Sequence, residues 1–216
     1  MNKFKQVLGV IQLPIILIVL LFITYKQYSI EEKIVNTNTL LFTQNKKAEV
    51  SILNQVNTTD IVLGNAQSSN IMVVYMRYDC SACEGFYENT ISSLIKNEIK
   101  NDELKIIFRF LAHETKLERL KWAMSAYQAS ECGLFNEFLS TKFSTKPDPE
   151  KAMEDWFIDK NCNSINQDKY SEYILQTASE ARGVYVRSTP TSFINGKRVV
   201  GAISYDKLIK LLVPSF

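Results

Sequence analysis

The chain has 216 residues, of which 46% are hydrophobic, 11% aromatic and 22% charged. This composition is typical of a globular protein with a sizeable core, and it excludes a disordered tail or a disulfide-dense miniprotein. The 25 Lys and Arg residues nearly balance the 23 Asp and Glu residues, and the first 30 positions contain three Lys and no acid. The rest of the chain therefore lacks the excess positive charge that binding to a nucleic-acid backbone needs, and we expect no nucleic-acid partner.

The N-terminal segment contains twenty consecutive uncharged residues, Gln6–Tyr25. A helix of that length spans about 30 Å, the thickness of a hydrocarbon core. We therefore predict a transmembrane helix over roughly residues 7–25, within an N-terminal membrane anchor of residues 1–26. The alternatives are a cleaved signal peptide, whose usual small-residue cleavage site is missing after the apolar run, and a buried core helix.

The charges around this segment predict its orientation. Lys3 and Lys5 precede the apolar run and only Lys26 follows it directly, so the positive-inside rule keeps the N-terminus in the cytoplasm. This predicts a single-pass protein of the bacterial cytoplasmic (inner) membrane, with the remaining chain periplasmic or extracellular. Disulfides persist in such compartments, which bears on the four cysteines.

Residues 27–47 are polar and show no clear period, which predicts a linker. The folded domain is predicted over residues 48–216. Its first two short apolar stretches, Glu49–Leu53 and Asp60–Leu63, have the length and spacing of an edge strand or hairpin.

The segment between residues 71 and 110 predicts a βαβ unit. Ile71–Met76 is a continuous apolar run of strand length, as expected for a strand buried on both faces. A Cys-x-x-Cys sequence, Cys80–Cys83, follows, and apolar residues then recur at helical spacing to about Lys100. Leu104–Phe110 reads as the second strand, parallel to the first.

The remainder predicts a helical block and then a return to strands. Helical periodicity extends from about Lys116 to Gly183, and Pro149 suits the first turn of a helix. Near the C-terminus, Asn195-Gly196 is a hairpin turn signal. It separates two predicted strands, and a closing helix capped by Ser204 is predicted after them; these elements are Thr191–Ile194, Lys197–Val200 and Ser204–Leu212.

The Cys80–Cys83 pair has two common interpretations, half of a zinc site or a redox-active dithiol. A structural zinc site normally uses two such short motifs, but Cys132 and Cys162 stand alone in the sequence and His113 is the sole histidine. At a helix N-cap, the Cys80 sulfur faces unpaired backbone N–H groups and the positive end of the helix dipole, which favour a thiolate. The pattern thus favours a dithiol in which Cys80 attacks and the more buried Cys83 resolves.

Together these motifs resemble the DsbA-like branch of the thioredoxin superfamily, from about Asp60 to Phe216. The resemblance rests on five segments: Leu63-Gly64-Asn65, Cys80-Ser-Ala-Cys-Glu-Gly-Phe86, Phe110-Leu-Ala-His113, Gly133-Leu-Phe-Asn-Glu-Phe138, and Gly183-Val with Thr189-Pro-Thr-Ser-Phe-Ile-Asn-Gly196.

The resemblance implies an α/β thioredoxin fold with a helical domain inserted at about residues 112–183. It implies thiol–disulfide exchange at Cys80 and Cys83 without a metal ion or other cofactor. The family's cis-proline falls at Pro190, and the residue that lies against the active-site sulfurs and pairs with substrate falls at Thr189. Ser81 and Ala82 form the dipeptide between the two cysteines.

Two departures from the family pattern concern redox strength. Many relatives carry a buried acid six residues before the first cysteine, where this chain has Val74. The Ser81-Ala82 dipeptide also contains no His to support the Cys80 thiolate, so we expect a weaker oxidant than the strongest relatives. Arg77 could compensate in part, whereas Asp79 and Glu84 would oppose it; alternatively these three charges are ordinary solvated residues.

The other two cysteines follow predicted helices of the helical block. Cys132 ends one helix and Cys162 follows another, so we predict that they form a structural disulfide. Two free buried thiols, metal ligation or an intermolecular bridge are the alternatives.

The sequence therefore predicts a membrane-anchored extracytoplasmic thiol–disulfide oxidoreductase that oxidises thiols of exported proteins. The resemblance implies reoxidation by a quinone-linked membrane partner of the DsbB or VKOR kind. With a reducing partner, the same pair would act as a reductase or isomerase. The alternative that is not an enzyme is a redox-silent peptide-binding module. The absence of a helical dimerisation stalk favours a monomer.

Overall fold

The computed structural model describes residues 2–54, 56–113, 115–141, 147–162 and 167–212. The chain divides into two compact units, Met1–Lys47 and Ala48–Phe216. The second unit contains both cysteine pairs.

One long helix, α1 (Asn2–Asn54), begins the chain. Among the helices whose side chains the structure describes, none is both long and apolar enough to cross a membrane. Residues 7–15 of the predicted span lie outside the described side chains. From residue 16 to residue 41 the side chains are exposed, apart from a half-buried Ser29.

The predicted strand at Glu49–Leu53 is wrong, because α1 continues to Asn54. Two Lys and one Ala directly precede this stretch, and Glu49 begins it; all three residue types are among the strongest helix formers. Adding a residue to an existing helix is also cheaper than starting a new element. An apolar stretch of five residues is too short to override these preferences. The predicted linker at residues 27–47 is helical as well.

A five-stranded sheet with the order β1-β3-β2-β4-β5 forms the centre of the second unit. Strands β2 and β3 are parallel, and the other neighbours are antiparallel. The predicted parallel βαβ pair and the C-terminal hairpin are thus confirmed, as is the strand predicted near Asp60. The strands are β1 (Ile61–Leu63), β2 (Asn70–Met76), β3 (Leu104–Phe110), β4 (Thr191–Ile194) and β5 (Lys197–Val200).

The helix after β2 begins at the Cys pair and is continuous to Ile99. Its α-helical parts, α2 (Ser81–Phe86) and α3 (Ser92–Leu94), are each followed by a π-helical turn, Tyr87–Ile91 and Ile95–Ile99. Its apolar residues Phe86, Ile91 and Leu94 are buried in the main core.

In the described part of the chain between β3 and β4 there are four helices: α4 (Leu117–Glu131), α5 (Phe135–Ser140), α6 (Pro149–Asp159) and α7 (Gln167–Gly183). They confirm the predicted helical block. Helix α6 begins as expected, with proline in its first turn and the Asp148 side chain accepting a hydrogen bond from the Lys151 N–H at 3.0 Å. The closing helix is shorter than predicted, α8 (Tyr205–Leu208) with a 3₁₀ turn at Ile209–Leu211.

The alternation of side chains along β2 divides the core between the two faces of the sheet. Met72, Val74 and Met76 contribute to the larger cluster, which includes residues of α2 and the inserted helices. Val73 and Tyr75 contribute to a smaller cluster with Phe193 on the other face. Successive side chains of β2 thus enter a core on one face or the other, and β2 is apolar at almost every position because both faces are covered.

A buried ion pair joins β1, β3 and α7. The Arg109 guanidinium donates to both carboxylate oxygens of Asp60 at 3.0 Å, with side chains 3% and 0% exposed. Arg109 also donates to the Tyr75 hydroxyl at 3.1 Å, and the Tyr173 hydroxyl of α7 donates to Asp60. Because each charge is paired, the desolvation cost of burying it is offset.

A disulfide joins Cys132, just after α4, to Cys162, just after α6. The two cysteines are 30 residues apart in sequence. The Gln128 side chain adds a hydrogen bond to the Cys162 carbonyl at 2.9 Å. The disulfide therefore ties two helices of the inserted block together.

Replacing both cysteines, as Cys132→Ser/Cys162→Ser, should lower the free energy of unfolding by about 3–4 kcal/mol, the chain-entropy value for a loop of this size. Urea denaturation of the oxidised proteins measures this loss. The Cys80–Cys83 pair should still react with thiols, because it lies outside the closed loop. Unchanged stability would mean that the disulfide does not constrain the unfolded chain.

Candidate active site

Cys80 lies where β2 turns into α2. Its backbone is extended, with φ −123° and ψ 104°, and its carbonyl accepts hydrogen bonds from the N–H groups of Cys83 and Glu84. The Cys83 N–H also lies 3.3 Å from the Cys80 Sγ and donates to it. Cys80 is therefore the N-cap residue of this helix, as the sequence predicts, and its sulfur caps the first turn.

The two sulfurs have different surroundings. Both cysteines are free thiols in the structure; Cys80 is half-buried, whereas Cys83 is 2% exposed and packs in the main core. Ser81 and Ala82, between them, are exposed. Of the two sulfurs, Cys80 is therefore the more accessible to another protein.

The loop before β4 comes directly against Cys80. The Thr189–Pro190 peptide bond is cis. The Cys80 thiol donates to the Thr189 carbonyl at 3.3 Å, and the Thr189 hydroxyl donates to the Cys80 Sγ at 3.4 Å. When Cys80 is a thiolate, the hydroxyl bond is the one of these two contacts with Thr189 that remains, since a thiolate has no proton to donate. Thr189 is thus placed to support the negative charge.

The surroundings lower the pKa of the Cys80 thiol and raise that of the Cys83 thiol from their ordinary value. Partial burial tends to raise the pKa of Cys80, but it is outweighed by hydrogen bonds from Cys83 and Thr189 and by the charge of Arg77, so the pKa lies below its ordinary value. Burial, followed by the hydrogen bond with Cys80, raises the pKa of Cys83 to about 12. Cys80 is therefore the sulfur that ionises first.

Asp79, the residue before Cys80, forms ion pairs with two arginines. Its carboxylate pairs with the Arg77 Nε at 3.0 Å and with the Arg119 Nε at 2.6 Å. The expected opposition of Asp79 to the thiolate is thus offset by two guanidinium groups. Sequence reasoning missed Arg119, because it lies on α4, forty positions after Asp79, and only the fold brings it near.

The position of the family's buried acid holds the fully buried Val74, in the same apolar cluster as Cys83. Next to Cys83 lies a cavity of about 420 Å³, whose lining includes Tyr78, Tyr87 and Leu139. The Tyr78 ring also stacks on Trp122 of α4, with centroids 4.2 Å apart. These contacts place the inserted helices beside the reactive pair, which the sequence alone did not reveal.

Neither His113 nor the carboxylates form a metal site among the described residues, where no three His, Cys, Asp or Glu side chains are grouped to hold an ion. His113 is exposed, and its Nδ1 lies 3.0 Å from the Thr115 hydroxyl.

Thr189→Val should raise the pKa of Cys80, because it removes a hydroxyl that donates to the sulfur. Alkylation of Cys80 at neutral pH should slow about two- to tenfold, since such a hydrogen bond contributes about 0.5–1.5 kcal/mol. Measuring alkylation against pH by mass spectrometry gives both quantities. Ser188→Ala is the matched control, with an exposed side chain in the same loop. An unchanged pH profile in Thr189→Val would mean that the hydroxyl does not support the thiolate.

Comparisons with known proteins agree with this geometry. A family model described as thioredoxin matches residues 56–213. No curated protein sequence matches the chain.

Among solved structures, the catalytic domain of Proteus mirabilis ScsC has a TM-score of 0.62 at 19% identity, covering 78% of this chain and 94% of that one. Wolbachia pipientis alpha-DsbA1 has a TM-score of 0.62 at 19% identity, covering 75% and 93%. The thiol-disulfide exchange protein alpha-DsbA2 from Wolbachia pipientis has a TM-score of 0.61 at 24% identity, covering 78% and 94%.

These likenesses show the fold, and the family match covers most of the chain. The chain therefore belongs to the thioredoxin family, the family of dithiol–disulfide oxidoreductases whose DsbA-like branch carries a helical insertion of this kind.

Proposed function

We propose that this protein oxidises thiols of exported proteins through a Cys80–Cys83 disulfide. The observation that carries the proposal is the difference between the two sulfurs: Cys80 is accessible and its pKa is lowered, whereas Cys83 is buried and its pKa is raised.

The exchange balances without a cofactor. A substrate thiolate attacks the Cys80 Sγ of the enzyme disulfide, a mixed disulfide forms, and Cys83 leaves as a thiolate that takes up a proton. The second substrate thiol, once ionised, then displaces Cys80, so that the substrate gains a disulfide and the enzyme becomes a dithiol. The thiolate released last is Cys80, the better leaving group of the pair.

The enzyme form that the site stabilises supports the proposed oxidising direction. Hydrogen bonds and the Arg77 charge stabilise a Cys80 thiolate, which exists only in the reduced enzyme. Stabilising the reduced form makes the disulfide easier to donate, and hence more oxidising. The missing His between the cysteines and the offsetting charge of Asp79 limit this effect. A reductase or isomerase would use the same atoms in reverse.

We place this chemistry outside the cytoplasm. We assign residues 1–26 to a membrane anchor, residues 27–47 to a linker and residues 48–216 to the catalytic domain. Its support is the uncharged run Gln6–Tyr25 with Lys3 and Lys5 before it. A quinone-linked membrane protein of the DsbB or VKOR kind would accept the electrons and restore the Cys80–Cys83 disulfide.

The test is to trap the mixed disulfide. Cys83→Ser removes the resolving sulfur, so reduced protein incubated with a disulfide-bonded model substrate should accumulate a Cys80-linked adduct, visible by non-reducing electrophoresis and peptide mapping. Cys80→Ser is the matched control and should form none, because the remaining Cys83 is buried. Equal adduct formation by both variants would contradict the assigned roles. Peptide binding by Cys80→Ser without exchange by the wild type would favour the redox-silent module.

A further inference from the structure

A strongly basic cavity lies beside the reactive pair, on the Thr189 side. It has a volume of about 200 Å³. Its lining combines the segments that follow β2 and β3, the loop before β4, α4 and α7. Its charged and polar side chains are Arg77, Arg119, Arg182, Arg187, His113, Ser188 and Thr189. Among the described residues that line it there is no Asp or Glu.

The positive charge of this cavity is only partly neutralised. Asp79 pairs with both Arg77 and Arg119, so one carboxylate serves two guanidinium groups. Arg182 and Arg187 are exposed and form no ion pair with another described residue; Arg187 lies over the Tyr185 ring at 5.7 Å. On the same helix as Arg182, the Glu180 carboxylate accepts a hydrogen bond from Gln176 and is not part of the lining. Of the four guanidinium groups in the lining, two therefore share one carboxylate, and the other two have no ion-pair partner among the described residues.

The cavity is one residue away from the reacting sulfur. Thr189 lines the cavity and also contacts the Cys80 Sγ at 3.3–3.4 Å through its carbonyl and hydroxyl. Arg77 lines it as well and precedes Cys80 by three residues. Side chains next to a substrate cysteine that approaches the Cys80 Sγ from the Thr189 side therefore come within reach of this basic surface.

Guanidinium groups bind carboxylates with directed, charge-assisted hydrogen bonds. A positive field around a reacting group also raises the encounter rate with negatively charged partners. Neutral or basic segments would gain neither contribution. The chemistry of the cavity therefore matches the side chains of Asp and Glu.

We propose that this basic cavity selects substrates in which acidic residues flank the reacting cysteine, an inference that rests on the proposed exchange at Cys80. Arg182 and Arg187 are the specificity-determining residues, because their charges are not shared with Asp79.

The test uses the reduced full-length protein and peptides that carry one cysteine as a 2-pyridyl disulfide. The Cys80 thiolate attacks the peptide sulfur, the S–S bond breaks, and pyridine-2-thione leaves and is measured by its absorbance. Cys83 then displaces the peptide thiol and closes the enzyme disulfide. Matched peptides carry two Glu, two Gln or two Lys beside the cysteine, on either side. Rates with dithiothreitol correct for the intrinsic reactivity of each peptide.

Wild-type protein should react about three- to tenfold faster with the Glu peptide than with the Lys peptide after this correction, the range expected for one or two partly exposed ion pairs. Arg182→Ala/Arg187→Ala should remove most of that ratio, and Arg182→Glu/Arg187→Glu should invert it. Raising the salt concentration should reduce the wild-type ratio, because exposed charges are screened. Each variant's rates are divided by its own rate with dipyridyl disulfide, which corrects for changes in the thiolate itself.

Lys100→Ala/Lys197→Ala is the charge-matched control, since both lysines are exposed and neither lines the cavity. It should keep the wild-type ratio. Corrected ratios near one in the wild type would overturn the proposal while leaving exchange at Cys80 intact. The proposal would also be overturned if Lys100→Ala/Lys197→Ala lowered the ratio as much as Arg182→Ala/Arg187→Ala does. Absence of any Cys80-dependent reaction, with all peptides and with dipyridyl disulfide, would instead overturn the proposed function and the selectivity with it.

Discussion

The contact between the Cys80 Sγ and Thr189 is the constraint on which the reactive site depends. The two residues are 109 positions apart in sequence, and the inserted helices lie between them. What brings them together is the antiparallel pairing of β2 and β4, in which Tyr75 lies opposite Thr191. Both strands are largely buried, and the apolar side chains of β2 pack in the core together with Phe193 and Ile194 of β4. The hydrophobic effect that assembles the sheet therefore also sets the position of the sulfur.

The chemical difference between the two cysteines follows from this arrangement. Cys80 caps the helix and receives hydrogen bonds from backbone and hydroxyl groups, whereas Cys83, one turn further, points into the apolar cluster. Neither sulfur needs an unusual residue to acquire its pKa. Helix geometry supplies one environment and core packing supplies the other.

Local patterns in the sequence predicted much of the fold. The apolar run of β2, the strand-like stretch Leu104–Phe110 and the Asn195-Gly196 turn are each recognised from neighbouring residues, and all three elements are present. The stretch at Glu49–Leu53 failed as a strand because the preceding helix continues through it. A run of five residues does not contain the information that decides between a strand and the continuation of a helix.

Local patterns likewise predicted only part of the candidate site. The cysteine spacing and the resemblance around Pro190 pointed to the sulfurs and to Thr189. The pairing of Asp79 with Arg119, the stacking of Tyr78 on Trp122 and the cavity lined by Arg182 and Arg187 join residues far apart in sequence. Single-sequence patterns carry no record of such contacts, and the ion pair and the basic cavity contribute the charge around the reactive pair.

The measurement that tests this account most directly is the reduction potential of the Cys80–Cys83 pair in the full-length protein. It is obtained by equilibration with glutathione buffers, with the Cys132–Cys162 disulfide intact. A stabilised Cys80 thiolate without a neighbouring His predicts a value between about −230 and −120 mV, on the oxidising side of thioredoxin. A value near that of thioredoxin, about −270 mV, would contradict the account, because the site would then not favour the reduced form.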